Sequence, residues 1–308
     1  MGKILLFFLL MLPGLALAQQ PQDFSKVQVK IAKVAGNVYL LQGSGGNIAA
    51  SVGGDGILLV DTEYAPLGEK ILAALNSVAP GKQVRYVIDT HYHPDHTSGN
   101  VFWGSRGAVI VAQENVRKRL ADGAAGGDGG SMKFQVPPQP AAALPAITYR
   151  NQMSLYFNGE EIRVTHFPAA HTDGDSVVYF TKSNVVHMGD IFVRYGLPFS
   201  DIRAGGSIQG MIAGCEKVVD TLPAGVKVIP GHGELANMND VRAYTKMLKD
   251  TMAVAQKALA EHKTLEQMKQ ENILAPWQNE AQGFVKADTF IDELYYSLTG
   301  PNAKAAKM

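Results

Sequence analysis

Three of the eight histidines in this 308-residue chain stand in one hexapeptide, His91-Tyr92-His93-Pro94-Asp95-His96. Four potential ligands within six residues cannot all point at one ion. His91 and His93 alternate by two, while Asp95 and His96 lie beyond the bend, so together they can serve two adjacent ions. Imidazole and carboxylate donors suit zinc. A solvated surface cluster of this density would be a rare accident. Three further donors lie downstream, each at a strand end or glycine turn: His171 in Pro168-Ala169-Ala170-His171-Thr172-Asp173, Asp190 in His187-Met188-Gly189-Asp190, and His232 in Pro230-Gly231-His232-Gly233. Taken singly, each reads as an ordinary structural residue.

The remaining candidates have blander readings. His166 and His187 fall within apolar strands and read as packing residues, and His262 suits the C-terminal end of an amphipathic helix. Cys215 is the only cysteine, so no internal disulfide can form, and it reads as a small buried residue on a helix. Arg117, Lys118 and Arg119 read as one solvated helical face.

The elements that must position these side chains show in the periodicity. Alternating or continuous apolar runs predict strands at Val38–Gln42, Asn47–Val52, Ile57–Val60, Val84–Asp89, Val109–Ala112, Met153–Phe157, Ile162–Phe167, Val177–Phe180, Val185–His187 and Val226–Ile229. Helical spacing covers Pro66–Val78, Ile208–Thr221 and most of the chain from Asp240, where Thr264 and Gln267 form a capping box and Phe290–Leu298 closes the pattern. Ala121–Pro145, rich in Gly, Ala and Pro, predicts a long, mobile loop. Strands and helices fall into two successive blocks, each opening with strands and closing with a helix. That order predicts an α+β fold in which two β-sheets pack face to face with helices over both outer faces.

The first residues, MGKILLFFLLMLPGLALAQQ, read as an address rather than structure. Lys3 precedes an apolar run, Ile4–Leu12, and Ala16-Leu17-Ala18 supplies a small-residue cleavage site. Pro13-Gly14 breaks the run well short of the roughly 20 apolar residues a spanning helix needs. The expectation is a signal peptide over 1–18 and a single domain over 19–308, exported to the periplasm without stable membrane association. The alternative is an uncleaved anchor. With 46% apolar and 18% charged residues, and equal basic and acidic counts of 28, the chain is globular and formally neutral. It lacks the basic stripe of a nucleic-acid binder, so the expected partner is a small-molecule substrate; oligomeric state is not legible.

HYHPDH followed in order by His171, Asp190 and His232 resembles the metallo-β-lactamase-fold superfamily, across nearly all of the mature chain. The resemblance implies an αββα four-layer sandwich and a dinuclear zinc hydrolase, with two Zn2+ per chain. Carried over residue by residue, His91, His93 and His171 would hold one metal, Asp95, His96 and His232 the other, and Asp190 would bridge both, with a hydroxide between the ions attacking a carbonyl-type bond. Asp95 is also the candidate catalytic group for steering a proton from nucleophile to leaving group. Asp61, at an early strand end, would orient a ligand histidine from behind; a turn-capping role is the alternative.

The substrate is far less legible, because loops around such a centre set specificity. After Asp190 the chain mixes aromatics with arginines, making Arg194, Tyr195 and Arg203 candidates to hold an apolar body bearing a carboxylate. Zinc β-lactamases usually carry Cys or Ser where Asp190 falls; a bridging aspartate is more like glyoxalase II and lactonases. The export signal argues against cytosolic glutathione thioesters, and the chain is also similar to exported hydrolases associated with quinoprotein relays and sulfur oxidation. A lactam, lactone, ester or thioester is the expected substrate. The alternatives are a β-lactamase proper, an iron-dependent sulfur oxidoreductase resembling persulfide dioxygenases, and a non-catalytic periplasmic metal-binding protein.

Overall fold

The computed structural model describes residues 23–301; the expected signal peptide lies outside them. Seven strands form the first sheet: β1 (Lys30–Ala35), β2 (Val38–Gln42), β3 (Ile48–Gly53), β4 (Gly56–Val60), β5 (Val84–Ile88), β6 (Val109–Gln113) and, after a separate hairpin of β7 (Ala124–Gly127) and β8 (Lys133–Val136), β9 (Ile147–Tyr149). The first four pair antiparallel as successive hairpins; β4, β5, β6 and β9 run parallel. The second sheet runs in chain order from β10 (Gln152–Phe157) through β11 (Glu160–His166), β12 (Ser176–Phe180), β13 (Val185–His187) and β14 (Lys227–Ile229) to β15 (Ala236–Asn237).

Side-chain alternation places the layers. On β4, Leu58 and Val60 face one way and Ile57 and Leu59 the other, and all four are buried. Leu58 and Val60 join Ile162, Val164, Val178, Phe180 and Ile229 of the second sheet in a core between the sheets. Ile57 and Leu59 pack outward against Leu67, Ile71 and Leu75, the last two on α1 (Gly68–Val78), and against Trp103 of α3 (Asn100–Gly104). The second sheet's outer face, with Val177, Tyr179, Val186 and Val228, is covered by α5 (Ile208–Thr221), α6 (Met238–Ala260) and α8 (Ala287–Thr299). Strands buried on both faces read as continuous apolar runs, which is why β4 and β13 stand out in the sequence. Helix–sheet–sheet–helix is the predicted four-layer sandwich. The strand Val185–His187 and the helix Ile208–Thr221 fall where the periodicity puts them, and Thr264 and Gln267 form the capping box that opens α7 (Leu265–Gln270).

Two expectations are corrected. Ala121–Pro145 is not a structureless loop. After α4 (Glu114–Asp122) it forms the β7–β8 hairpin, whose residues pair Ala124↔Val136 through Gly127↔Lys133, with Ala124 and Val136 buried beside Tyr92 and Leu120. Small residues bury without a periodic pattern, so their composition mimics a linker. Nor are Arg117, Lys118 and Arg119 one solvated face. Arg117 and Lys118 are exposed, but half-buried Arg119 forks onto Asp173 at 2.8 and 2.6 Å and sits over the Tyr92 ring.

Candidate metal centre

All the candidate donors follow carboxyl ends of strands. β5 leads directly into His91 and His93, and Pro94 then opens the one-turn helix α2 (Pro94–Thr97), which rotates Asp95 and His96 away from the first pair. His171 lies between β11 and β12, Asp190 just after β13, and His232 just after β14. The packed sheets bring all seven together. His91, His93 and His171 form one group, His91, His96 and Asp190 a second, and Asp95, His96 and His232 a third, with the donor atoms of each group within 4.8 Å of one another. Asp190 lies against the Pro-Gly-His turn, where a Cβ on Gly231 would meet its Oδ1 at 1.9 Å; any other residue there would displace the carboxylate.

Each of four histidines turns one nitrogen inward and has the other engaged behind. His96 Nδ1 meets Asp61 Oδ2 at 2.7 Å, and Asp61 is itself clamped by the Thr90 N–H and hydroxyl. Asp61 adopts the left-handed backbone region (φ +66°), uncommon for a side-chain-bearing residue. His171 Nδ1 lies 2.7 Å from the Phe199 carbonyl, His91 Nδ1 3.0 Å from the Thr90 hydroxyl, and His93 Nε2 2.9 Å from Asp201 Oδ2. The inward nitrogens crowd: His91 Nε2 and His171 Nε2 lie 3.1 and 2.9 Å from His93 Nδ1, and His96 Nε2 is 3.2 Å from His232 Nε2. Lone pairs facing at that range repel unless a proton or cation lies between them. A tetrahedral ion with Zn–N bonds of about 2.0–2.1 Å sets its ligand atoms about 3.3 Å apart, so the donor set fits a zinc-sized cation.

Electrostatics divides the cluster. Burial, reinforced by neighbouring histidines, depresses His91 well below the usual imidazole range and His171 to about 4, so both present lone pairs at neutral pH. Burial also opposes charge on His96 and His232, but the carboxylates outweigh it. Asp190, Asp95 and Asp61 raise His96 well above its ordinary value, and Asp190 and Asp95 lift His232 to about 10. Burial works against Asp190 and Asp95 as anions, yet His232 and His96 hold Asp190 well below the carboxylate range and bring Asp95 to about 2. In the metal-free fold two carboxylates thus face two protonated imidazoles, while His91 and His171 offer neutral nitrogens.

The sequence-level substrate candidates separate here. The Tyr195 ring lies 5.6 Å from the His232 ring. Arg194 instead turns to the backbone carbonyls of Leu235 (2.9 Å) and Glu234 (3.3 Å). Arg203 is exposed, its stem beside Gly127 of the hairpin. His187 is buried with Nε2 on the Asn47 carbonyl, half-buried His166 bonds the Asp175 carbonyl, and Cys215 is buried on α5, its thiol pushed up to about 12 by burial. Sequence reasoning missed Asp201, which meets His93 and also accepts from the Tyr92 hydroxyl at 2.6 Å and from the Gly127 N–H at 2.9 Å. Its only sequence signal is an acid inside an otherwise aromatic loop.

An αββα sandwich with a histidine–aspartate cluster at its strand ends defines a metal-dependent hydrolase. The chain belongs to the metallo-beta-lactamase superfamily, whose sequence model matches residues 32–232. Among solved structures it is similar to a metallo-beta-lactamase from Pontibacter korlensis, with a TM-score of 0.59 and 16% identity over 72% of this chain and 99% of that one. The DIM-1 metallo-beta-lactamase gives 0.58 and 19% over 73% and 99%. A double mutant of the sec-alkyl sulfatase PisA1 gives 0.66 and 14%, covering 90% of this chain and 51% of that one. At these identities the likeness is one of fold.

Proposed function

We propose that this protein is an exported, dinuclear zinc hydrolase that cleaves a carbonyl-type bond in a small molecule: a lactam, lactone, ester or thioester. The observation that supports the reading is the convergence of all seven donors into three overlapping groups, with four of the histidines held from behind. His91, His93 and His171 would hold one ion, Asp95, His96 and His232 the other, and Asp190 both. A pair of zinc ions supplies, when bound, an acidified water and an electrophile for the substrate oxygen. The protein's own part is positioning. Asp61, Asp201, Thr90 and the Phe199 carbonyl fix which nitrogen each histidine offers. Asp95, whose side chain is 23% exposed beside His232, would take a proton and pass it to the leaving group. Arg194 is engaged by backbone carbonyls, so of the two candidate arginines exposed Arg203 is the one left to meet a substrate carboxylate. Export rests on the leader alone.

A second reading, sulfate-ester hydrolysis, is the activity named for the sec-alkyl sulfatase whose fold this chain shares. One experiment separates these. Chain from Gln19 onward is purified, its metal content measured, and the zinc-loaded protein assayed against a penicillin, a γ-lactone, an aryl ester, an acyl thioester and a secondary alkyl sulfate. Two zincs per chain with turnover of a carbonyl substrate supports the proposal. Turnover of the alkyl sulfate alone favours the second reading. One iron per chain with no hydrolysis, or exchangeable metal with no turnover of any compound, overturns both.

A further inference from the structure

One flank of the donor cluster is a continuous arc of aromatic rings. Phe134, from β8 of the hairpin, lies 5.4 Å from the His93 ring and 6.3 Å from Phe199. Phe199 lies 6.1 Å from His93 and 5.8 Å from His171. Tyr195 stands 5.6 Å from His232, and Phe284 closes the arc, edge-on to Tyr195 at 6.1 Å and to Phe199 at 6.5 Å. The arc's one hydroxyl, on Tyr195, accepts from the Phe199 N–H at 3.3 Å, which does not use its O–H; the rest of this flank is apolar.

Phe284 sets the question. It is 64% exposed, while Phe199 is 6% exposed and does ordinary core packing. A single exposed apolar side chain needs no special account, but this one is held out. Its neighbour Val285 is fully buried and Ala281 nearly so. Gly283 is pressed so closely on the loop after Asp190 that a Cβ there would meet the Tyr195 carbonyl oxygen at 1.9 Å, and the Leu197 N–H reaches the Glu280 carbonyl at 3.1 Å. The segment between α7 and α8 is fixed on both sides of Phe284, and the exposed ring stands beside Tyr195 and Phe199, which in turn lie against His232, His93 and His171. This segment lies beyond residues 32–232, the part matched to the superfamily.

We infer that Phe134, Tyr195 and Phe284, backed by buried Phe199, form the wall that receives an uncharged aryl group of the substrate, with Phe284 as its outer edge and principal determinant of that preference. Ring–ring contacts reward an aryl group in edge-to-face or offset geometry beyond simple burial, and the three accessible rings supply such contacts. The inference rests on the hydrolase reading for the word substrate, but the wall itself does not depend on turnover.

The test therefore has a binding arm and a turnover arm. Binding of 4-fluorobenzyl alcohol, which has no hydrolysable bond, is followed by fluorine NMR with metal-free and zinc-loaded protein. Saturable binding is expected in both forms, weakened about fivefold by Phe284→Ala and restored by Phe284→Tyr. In the turnover arm, the ratio of kcat/KM for a benzyl over an ethyl thioester falls about fivefold in Phe284→Ala. Thermal melts of the variants establish that they are folded. Equal affinity for the alcohol in wild type and Phe284→Ala, or an unchanged benzyl-to-ethyl ratio in an active enzyme, overturns the inference. Phe284-dependent binding in a protein that hydrolyses none of the carbonyl substrates upholds the wall and instead overturns the proposed reaction.

Discussion

A histidine ligand has two nitrogens, and what it contributes to a centre depends on what holds the one facing away. In this cluster the holders differ in kind: a carboxylate for His96 and His93, a carbonyl for His171, a hydroxyl for His91. A carboxylate both fixes the tautomer and makes the inward nitrogen a better donor. Asp201 does this for His93 while tying in Tyr92 and the Gly127 backbone, so one side chain couples a ligand, the core and the hairpin. Asp201→Ala should lower zinc affinity of the His91–His93–His171 set about 10–100-fold, measured by competition with a chromogenic chelator. Unchanged affinity in a folded variant would show that His93 needs no partner behind it.

At the level of elements, the strand ends supply the donors and the additions to the sandwich supply the surroundings. The β7–β8 hairpin brings Phe134 to His93, and the segment between α7 and α8 brings Phe284 to Tyr195. Gly283 is the tightest point of that attachment. Its backbone is in an ordinary region, so Gly283→Ala acts through contact alone, driving a methyl into the Tyr195 carbonyl. We expect about 1–3 kcal/mol of destabilisation, the cost of overpacking, in chemical denaturation, together with loss of the aryl preference. A stable variant that keeps the preference would mean the segment is less closely seated. The four candidate donors of HYHPDH were legible because ligand types crowd at short spacing, whereas His171, Asp190 and His232 read singly as structural residues and joined them only through the family resemblance. The strands were legible because burial on both faces leaves unbroken apolar runs. Asp201 and Phe284 were not. Asp201 is 108 residues from the histidine it meets, and nothing local marks an aspartate or a phenylalanine for a distant partner. The hairpin was hidden by its alanines and glycines, which bury without periodicity.

For the whole molecule, the cluster sits where the two sheets meet. His91, His93, Asp95 and His96 follow a strand of the first sheet, and His171, Asp190 and His232 follow strands of the second. A bound metal pair would thus clamp the halves of a sandwich whose single cysteine allows no internal disulfide. A ligand at 100 times its Kd stabilises the folded state by about 2.7 kcal/mol, and each kcal/mol moves Tm by about 2–4 °C at this size. Stripping the metal with dipicolinate should therefore lower Tm by roughly 5–10 °C. The gap should also depend on pH, with a definite sign. In the metal-free fold Asp190 and Asp95 overcome burial and hold the His232 proton up to about 10, whereas an unfolded imidazole titrates near 6.5. A group whose folded value is raised lends stability fully present below the unfolded value and lost as pH climbs through the folded one, so the stripped protein weakens from about pH 6.5 toward 10. Metal must displace the same proton, so its binding strengthens over that window. These are one linkage seen from two sides, and it widens the difference in Tm between loaded and stripped protein from about pH 6 to pH 8.5, as paired calorimetric scans would show. A gap that is constant or narrows with pH would mean that metal does not displace the proton that Asp190 and Asp95 hold on His232.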